Sequence, residues 1–139
     1  MDLDSIKGDV EIDTRSNTIT GNNIDGDINL STEYSSISLL NVISDTANIA
    51  GRSENIVLDF INEPKKVSVV CKHGNIDISI PKKYKGGFNI ESSYGNIKSD
   101  FDFQKEIDKS SKQIRSAKGE NNSLITIEGR SGDIEILAK

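Results

Sequence analysis

KVSVVCKHGNIDISI, Lys66 to Ile80, holds the two signals that decide the fold. Val67, Val69 and Cys71 alternate with Ser68, Val70 and Lys72; after a Gly-Asn pair, Ile76, Ile78 and Ile80 alternate with Asp77 and Ser79. Alternation of branched apolar with polar residues at period two is the pattern of a strand with one face buried. Gly74 and Asn75 between the two runs have corner chemistry. Glycine reaches positive φ without steric penalty, and asparagine tolerates the left-handed region while its side chain bonds nearby backbone. The unit is strand, tight polar corner, strand.

The unit recurs. Gly-Asp/Asn-Ile/Val stands at Gly8-Asp9-Val10, Gly26-Asp27-Ile28, Gly74-Asn75-Ile76, Gly95-Asn96-Ile97 and Gly132-Asp133-Ile134, which takes five of the eleven glycines. Composition alone would generate about 0.4 such triplets, so the repeat is a property of the fold. Degenerate copies lie at Ser35-Ser36-Ile37, Ala47-Asn48-Ile49 and Glu54-Asn55-Ile56. From Glu54 to Gly74 to Gly95 the steps are 20 and 21 residues, close to one rung of a β-helix, whereas the first half of the chain steps by 18 and 9. These spacings favour an all-β, parallel β-solenoid or β-helix-like stack of short strands; an array of β-hairpins or a sandwich is the alternative. A solenoid also suits a chain that is 34% hydrophobic, 5% aromatic and without Trp, because its narrow interior takes branched side chains stacked rung on rung.

The chain has 139 residues, enough for one domain with a real core, and residues 1–139 read as a single unit. One segment breaks the alternation: residues 100–123 read as a long irregular loop, with a helical turn bearing Ile107 and Ile114. A formal net charge of -5 argues against general affinity for nucleic acid. The best local basic patch is Lys82, Lys83 and Lys85 around Tyr84, with Lys65 and Lys66 nearby; such lysines also serve to discourage edge-to-edge aggregation. The single cysteine, Cys71, excludes an internal disulfide and a cysteine-rich zinc site. No run approaches the length of a membrane-spanning helix and no export signal precedes Ile6, so the segment is expected not to insert in a membrane. Strand-like sequence starts almost at once, which reads as a domain from which a leader or anchor has been trimmed.

The order of these corners resembles a known family. Ile80-Pro81 leading into a lysine-rich turn, the run Gly95 to Phe101 (GNIKSDF) and the closing Ser131-Gly132-Asp133-Ile134 are similar to the bacterial adhesin-like domain family of unknown function, whose relatives include the head-GIN and toastrack domains. The resemblance runs from about Ile6 to Leu137. It implies a right-handed parallel β-solenoid-like fold, an extracytoplasmic or cell-surface place in a bacterium, and a link in some members to envelope stress. It carries no catalytic residues over. The segment 100–123 is more charged and less Gly-rich than the family's loop.

Each candidate for chemistry has a plainer role beside it. Cys71 and His73 are two apart on one strand, the spacing at which a thiol and an imidazole meet, but Cys71 shares its face with Val67 and Val69 and serves as a small core hydrophobe. Stacked corners could bring Asp9, Asp27, Asp77 or Asp133 together as the paired carboxylates of a polysaccharide-cleaving β-helix enzyme, although acids on solvent-facing alternates mainly solubilise. NNIDGD, Asn22 to Asp27, has a superficial likeness to a calcium loop whose twelfth position would be Glu33, but the intervening ligand pattern fails. No phosphate-binding loop, dinucleotide fingerprint or nucleophile motif is present. The expectation is a domain with no catalytic, metal or cofactor residues, presenting outward alternates such as Asn29, Ser31, Asp77, Ser79 and Lys98 as a long polar surface to a protein or polysaccharide. A carbohydrate-active enzyme is one alternative. The other is a signalling scaffold that forms a homo-oligomer through exposed end strands.

Overall fold

Alternation at period two requires each strand to turn one face inward, and the corners let consecutive strands bury those faces against each other. A computed structural model describes residues 2–16, 18–53 and 55–139. Glu54, part of one degenerate corner, lies outside them. One sheet has seven strands in the spatial order β1 (Asp2–Lys7), β3 (Ile19–Asp25), β5 (Ile37–Ile43), β7 (Ile56–Phe60), β9 (Ile76–Ile80), β15 (Ile134–Ala138) and β11 (Ile97–Ser99). The other has eight: β12 (Lys105–Lys109), β13 (Lys112–Ala117), β10 (Gly87–Ser93), β14 (Leu124–Ser131), β8 (Lys66–His73), β6 (Thr46–Ser53), β4 (Ile28–Thr32) and β2 (Val10–Thr14). From β1 to β12 the chain winds so that consecutive strands join opposite sheets; β12, β13 and β14 then lie in one sheet, and β15 returns to the other. Among the described residues every pairing is parallel except β10 with β13 and β12 with β13. The architecture is the β-solenoid-like stack that the sequence predicts, flattened to two sheets.

The repeat is visible in the core. Ile19, Ile37, Ile56, Ile76, Ile134 and Ile97 pair in register across β3, β5, β7, β9, β15 and β11, an unbroken isoleucine column. The first five are at most 1% exposed, and burying each such side chain contributes about 1.5–3 kcal/mol. In the other sheet Leu30, Ile49, Val69, Ile127 and Ile90 form the matching column. The steps of 18 and 9 follow directly: a coil pairs Ile19 with Ile37, eighteen residues on, and half a coil arrives at the opposite corner.

The step of 21 is not one rung. β9 does not pair with β11; β15 lies between them, and β14 likewise separates β8 from β10. After β9 the chain climbs two levels, forms β10 and β11, and returns with its last two strands to fill the vacant level. Gly95 is therefore stacked on Gly132, and Gly132 on Gly74. At Gly95 the need for glycine is close approach: a Cβ there would clash with the Gly132 carbonyl, while the positive φ in this corner belongs to Tyr94, at 58°.

The five glycine corners divide between the two edges of the stack. Gly8-Asp9 and Gly26-Asp27 lead from the seven-stranded sheet to the eight-stranded one, whereas Gly74-Asn75, Gly132-Asp133 and Gly95-Asn96 lead back. Along the second edge, side-chain oxygens take up the backbone: Asn75 N–H donates to Asn55 Oδ1 (3.0 Å), Asp133 N–H to Asn75 Oδ1 (2.9 Å) and Asn96 N–H to Asp133 Oδ1 (3.0 Å). Gln113 of β13 ends this ladder by accepting from Ile97 N–H at 2.9 Å.

Residues 100–123, expected as an irregular loop with a helical turn, contain an antiparallel hairpin instead. β12 and β13 pair Ile107 directly with Ile114 and extend the eight-stranded sheet. The alternation is missing because β12 is open to solvent on most of its length, so charged residues occupy both of its faces. At that end of the core Phe88, Phe101, Phe103 and Tyr84 cluster with centroids 5.2–6.4 Å apart, edge to face except for the tilted pair Phe88 and Phe101. At the other end Leu3, Ile6 and Ile12 are only partly buried, whereas Ile24 and Leu30 one rung deeper are 1% exposed.

Candidate ligand-binding face

The residues weighed for catalysis do not converge. Cys71 points inward, 1% exposed, level with Gly51 and Gly129 on its neighbouring strands, and His73 is exposed at the end of β8. Asp9 and Asp27 share one edge, where Asp9 Oδ1 accepts from Asp27 N–H at 3.2 Å, whereas Asp133 serves the ladder of the other edge. Asp77 sits mid-strand beside Glu135. Burial, and then the Glu135 carboxylate, push its pKa above the ordinary carboxylate value. The four carboxylates weighed as a candidate cluster are thus dispersed over three places, because identical corner motifs lie at opposite edges. Among the described residues no three His, Cys, Asp or Glu side chains are grouped to hold a metal ion. Asn22 to Asp27 is strand β3 and its corner, not a loop; Asn22 Oδ1 accepts from Asn41 Nδ2 at 2.7 Å, and Glu33 lies at the far edge, paired with Arg15 at 3.1 Å.

The lysine patch is likewise partly neutralised: Lys65 lies 3.7 Å from Asp45 and Lys85 3.8 Å from Glu120. Tyr84 is buried among the phenylalanines with its hydroxyl donating to Gly87 O at 3.1 Å, and burial raises its pKa, so its ring is not free to stack on a base.

The outward residues fall on two opposite faces. Asp77, Ser79 and Lys98 belong to the seven-stranded sheet, Asn29 and Ser31 to the other. The second face is the more regular. Asn29, Asn48, Ser68, Thr126, Asn89 and Ser116 stand side by side on six adjacent strands, exposed or half-exposed and uncharged. Strand pairing spaces them at about 4.8 Å. Beside this row run Ala50, Val70, Glu128 and Glu91, and beyond them the cations Arg52, Lys72 and Arg130, the last three level with one another on β6, β8 and β14.

The sequence carries the signature of the whole chain as well as of its corners. A family profile described as Toastrack DUF4097, a domain of unknown function, matches residues 1–137. The chain belongs to the Toastrack family. No curated protein and no solved structure matches it. The solenoid-like stack fits what this Toastrack relationship implies for the fold. Among its described residues no helix is long and apolar enough to cross a membrane.

The row of cations in this Toastrack domain escaped the sequence reading, yet it has a sequence signal. Arg52, Lys72 and Arg130 each stand three residues before the Asn or Asp of a corner, in Arg52-x-x-Asn55-Ile56, Lys72-x-x-Asn75-Ile76 and Arg130-x-x-Asp133-Ile134. Extending the repeat backwards from the corner would have found it.

Proposed function

We propose that this domain is a non-enzymatic binding scaffold of the bacterial cell envelope, adhesin-like in action, whose eight-stranded sheet holds an extended polysaccharide on its outer face. The observation that carries this reading is the in-register row Asn29, Asn48, Ser68, Thr126, Asn89 and Ser116. Side chains with both donor and acceptor capacity, repeated at one strand spacing, match a polymer whose hydroxyl groups also repeat. Rigidity comes from the stack, so little ordering is required on binding. The dispersal of Asp9, Asp27, Asp77 and Asp133 supports binding over glycoside cleavage, which needs two carboxylates flanking one bond. An extracytoplasmic or cell-surface location accords with the family resemblance.

The test is electrophoresis of the native protein through gels cast with soluble linear glycans, polygalacturonate and a neutral β-glucan. Retardation by at least one, abolished by joint substitution Asn48→Ala, Ser68→Ala, Thr126→Ala and Asn89→Ala, is the expected result. Free migration in both gels, or equal retardation of the variant, overturns the reading.

A second reading has its own observation. Among the described residues β1 and β2 are the edge strands of their sheets, with Leu3, Ile6 and Ile12 only partly buried, which suits self-association in an envelope-stress signalling scaffold. A species that stays monomeric at high concentration in sedimentation equilibrium counts against it.

A further inference from the structure

Arg52, Lys72 and Arg130 occupy the same position on three neighbouring strands, between the register pairs Gly51, Cys71, Gly129 and Ser53, His73, Ser131. All three are exposed, and among the described residues none has a carboxylate within ion-pair distance. Like charges placed side by side on a sheet repel and destabilise it. Some other surface cations are matched, Arg15 with Glu33, Lys112 with Glu91 at 2.6 Å, and Lys139 with Asp59; what sets the three apart is their alignment in one row, since lysines such as Lys82, Lys83 and Lys98 also have no ion pair among the described residues. The acids nearest the row, Glu91 and Glu128, act on Lys112, whose pKa they raise, Glu91 most strongly through its hydrogen bond.

Between the cations and the uncharged row, Ala50 and Val70 form a small apolar strip on β6 and β8. Next to it lies a shallow depression of about 260 Å³ lined by Val70, Lys72, Glu128 and Arg130 among others. The two polar rows are four residues apart along each strand, roughly 13 Å at the strand rise. A single saccharide chain running along the stack fits that width, with its ring faces over Ala50 and Val70.

We propose that the ligand of this face is a linear anionic polysaccharide whose carboxylate or phosphodiester charges sit on Arg52, Lys72 and Arg130 while its hydroxyl groups meet Asn48, Ser68 and Thr126. This rests on the polysaccharide-binding reading above and adds the sign of the charge and the residues that select it. A double-stranded nucleic acid fits less well, because the track is a single row of three cations and a duplex presents two phosphate backbones.

The experiment uses the triple variant Arg52→Gln, Lys72→Gln, Arg130→Gln, with Lys82→Gln, Lys83→Gln at the other edge as control. Polygalacturonate should retard the wild type and the control, and its hold should weaken about 20- to 40-fold between 50 and 200 mM salt, as release of about three counterions requires. The triple variant should migrate freely with a melting temperature no lower than that of the wild type, since it relieves the repulsion along the row. If it is retarded like the wild type, or the neutral β-glucan binds as well as polygalacturonate, the anionic assignment falls while the polar-row reading stands. Binding to neither glycan ends both. Tighter binding of single-stranded DNA than of polygalacturonate overturns the assignment to a glycan.

Discussion

Two glycines with the same backbone conformation and opposite surroundings test whether corner stacking holds the solenoid together. Gly8 and Gly26 both have positive φ, 122° and 150°, so alanine at either meets a backbone cost of about 1–2 kcal/mol. Gly8 ends the stack, and a Cβ there would have open space around it; a Cβ on Gly26 would fall well inside contact distance of the Gly8 carbonyl. To relieve that clash the corner must separate, which adds an overpacking cost of about 1–3 kcal/mol. It also strains the corner bonds Gly8 N–H to Asp25 O (2.8 Å) and Val10 N–H to Asp27 O (2.8 Å), each contributing about 0.5–1.5 kcal/mol. Gly8→Ala should therefore lose about 1–2 kcal/mol and Gly26→Ala about 3–5. Urea denaturation followed by circular dichroism resolves the difference, since an m-value of about 2 kcal/mol/M separates the two midpoints by roughly 1 M. Equal losses would show that these glycines serve φ alone and that the stacked corners contribute nothing.

Two further outcomes follow from the packing. Asp77 has a folded-state pKa above its ordinary value of 3.8, so the folded protein binds its proton more tightly than the unfolded chain, and ionising it lowers stability as pH rises through the folded pKa. Asp77→Asn should raise the melting temperature at pH 7 and give no gain at pH 3; an equal gain at both, in thermal scans, would assign the effect to something other than this ionisation. Phe88, 4% exposed and in edge contact with Tyr84 at 5.3 Å and Phe103 at 5.7 Å, anchors the aromatic plug. Phe88→Ala should lose about 3–5 kcal/mol and speed amide exchange in β12 and β13 first; loss confined to β1 and β2 would contradict its role as an end cap.

Strand identity and corner chemistry were legible because both are local: Ile76, Ile78 and Ile80 alternate over five residues, and Gly74-Asn75 marks its corner without reference to the rest of the chain. The order of the strands was not. Ile76 finds an isoleucine opposite it whether its neighbour is Ile97 or Ile134, so the periodic core that makes the repeat recognisable also conceals which copy lies adjacent. The same degeneracy hid the division of Asp9 and Asp27 from Asp133, since one tripeptide serves both edges. The hairpin of residues 105–117 was hidden for a different reason: outside the core, a strand needs no apolar alternation, and only the pairing of Ile107 with Ile114 betrays it. Of the candidate face, Asn29 and Ser31 were anticipated, but the cations were not, because they are recognised only by comparing copies of the repeat.

The interleaved ending bears on how the face is made. Its central residues, Ser68 and Lys72 on β8, Thr126 and Arg130 on β14, and Asn89 on β10, are neighbours in space only because the last two strands enter between levels formed much earlier in the chain. Ser68 and Thr126 are separated by 58 residues of sequence, so their contact requires a long loop to close. Until β14 docks, β8 and β10 lack their shared partner and the polar row is broken at its middle. The last strands are thus both the closing wedge of the core, through Ile125, Ile127, Ile134 and Ile136, each at most 1% exposed, and the piece that makes two half-rows into one continuous surface. If the face binds as proposed, stability and binding are coupled through β14: a substitution that loosens its buried side should weaken ligand binding as well as folding, whereas Thr126→Ala on its outward side should weaken binding with little loss of stability.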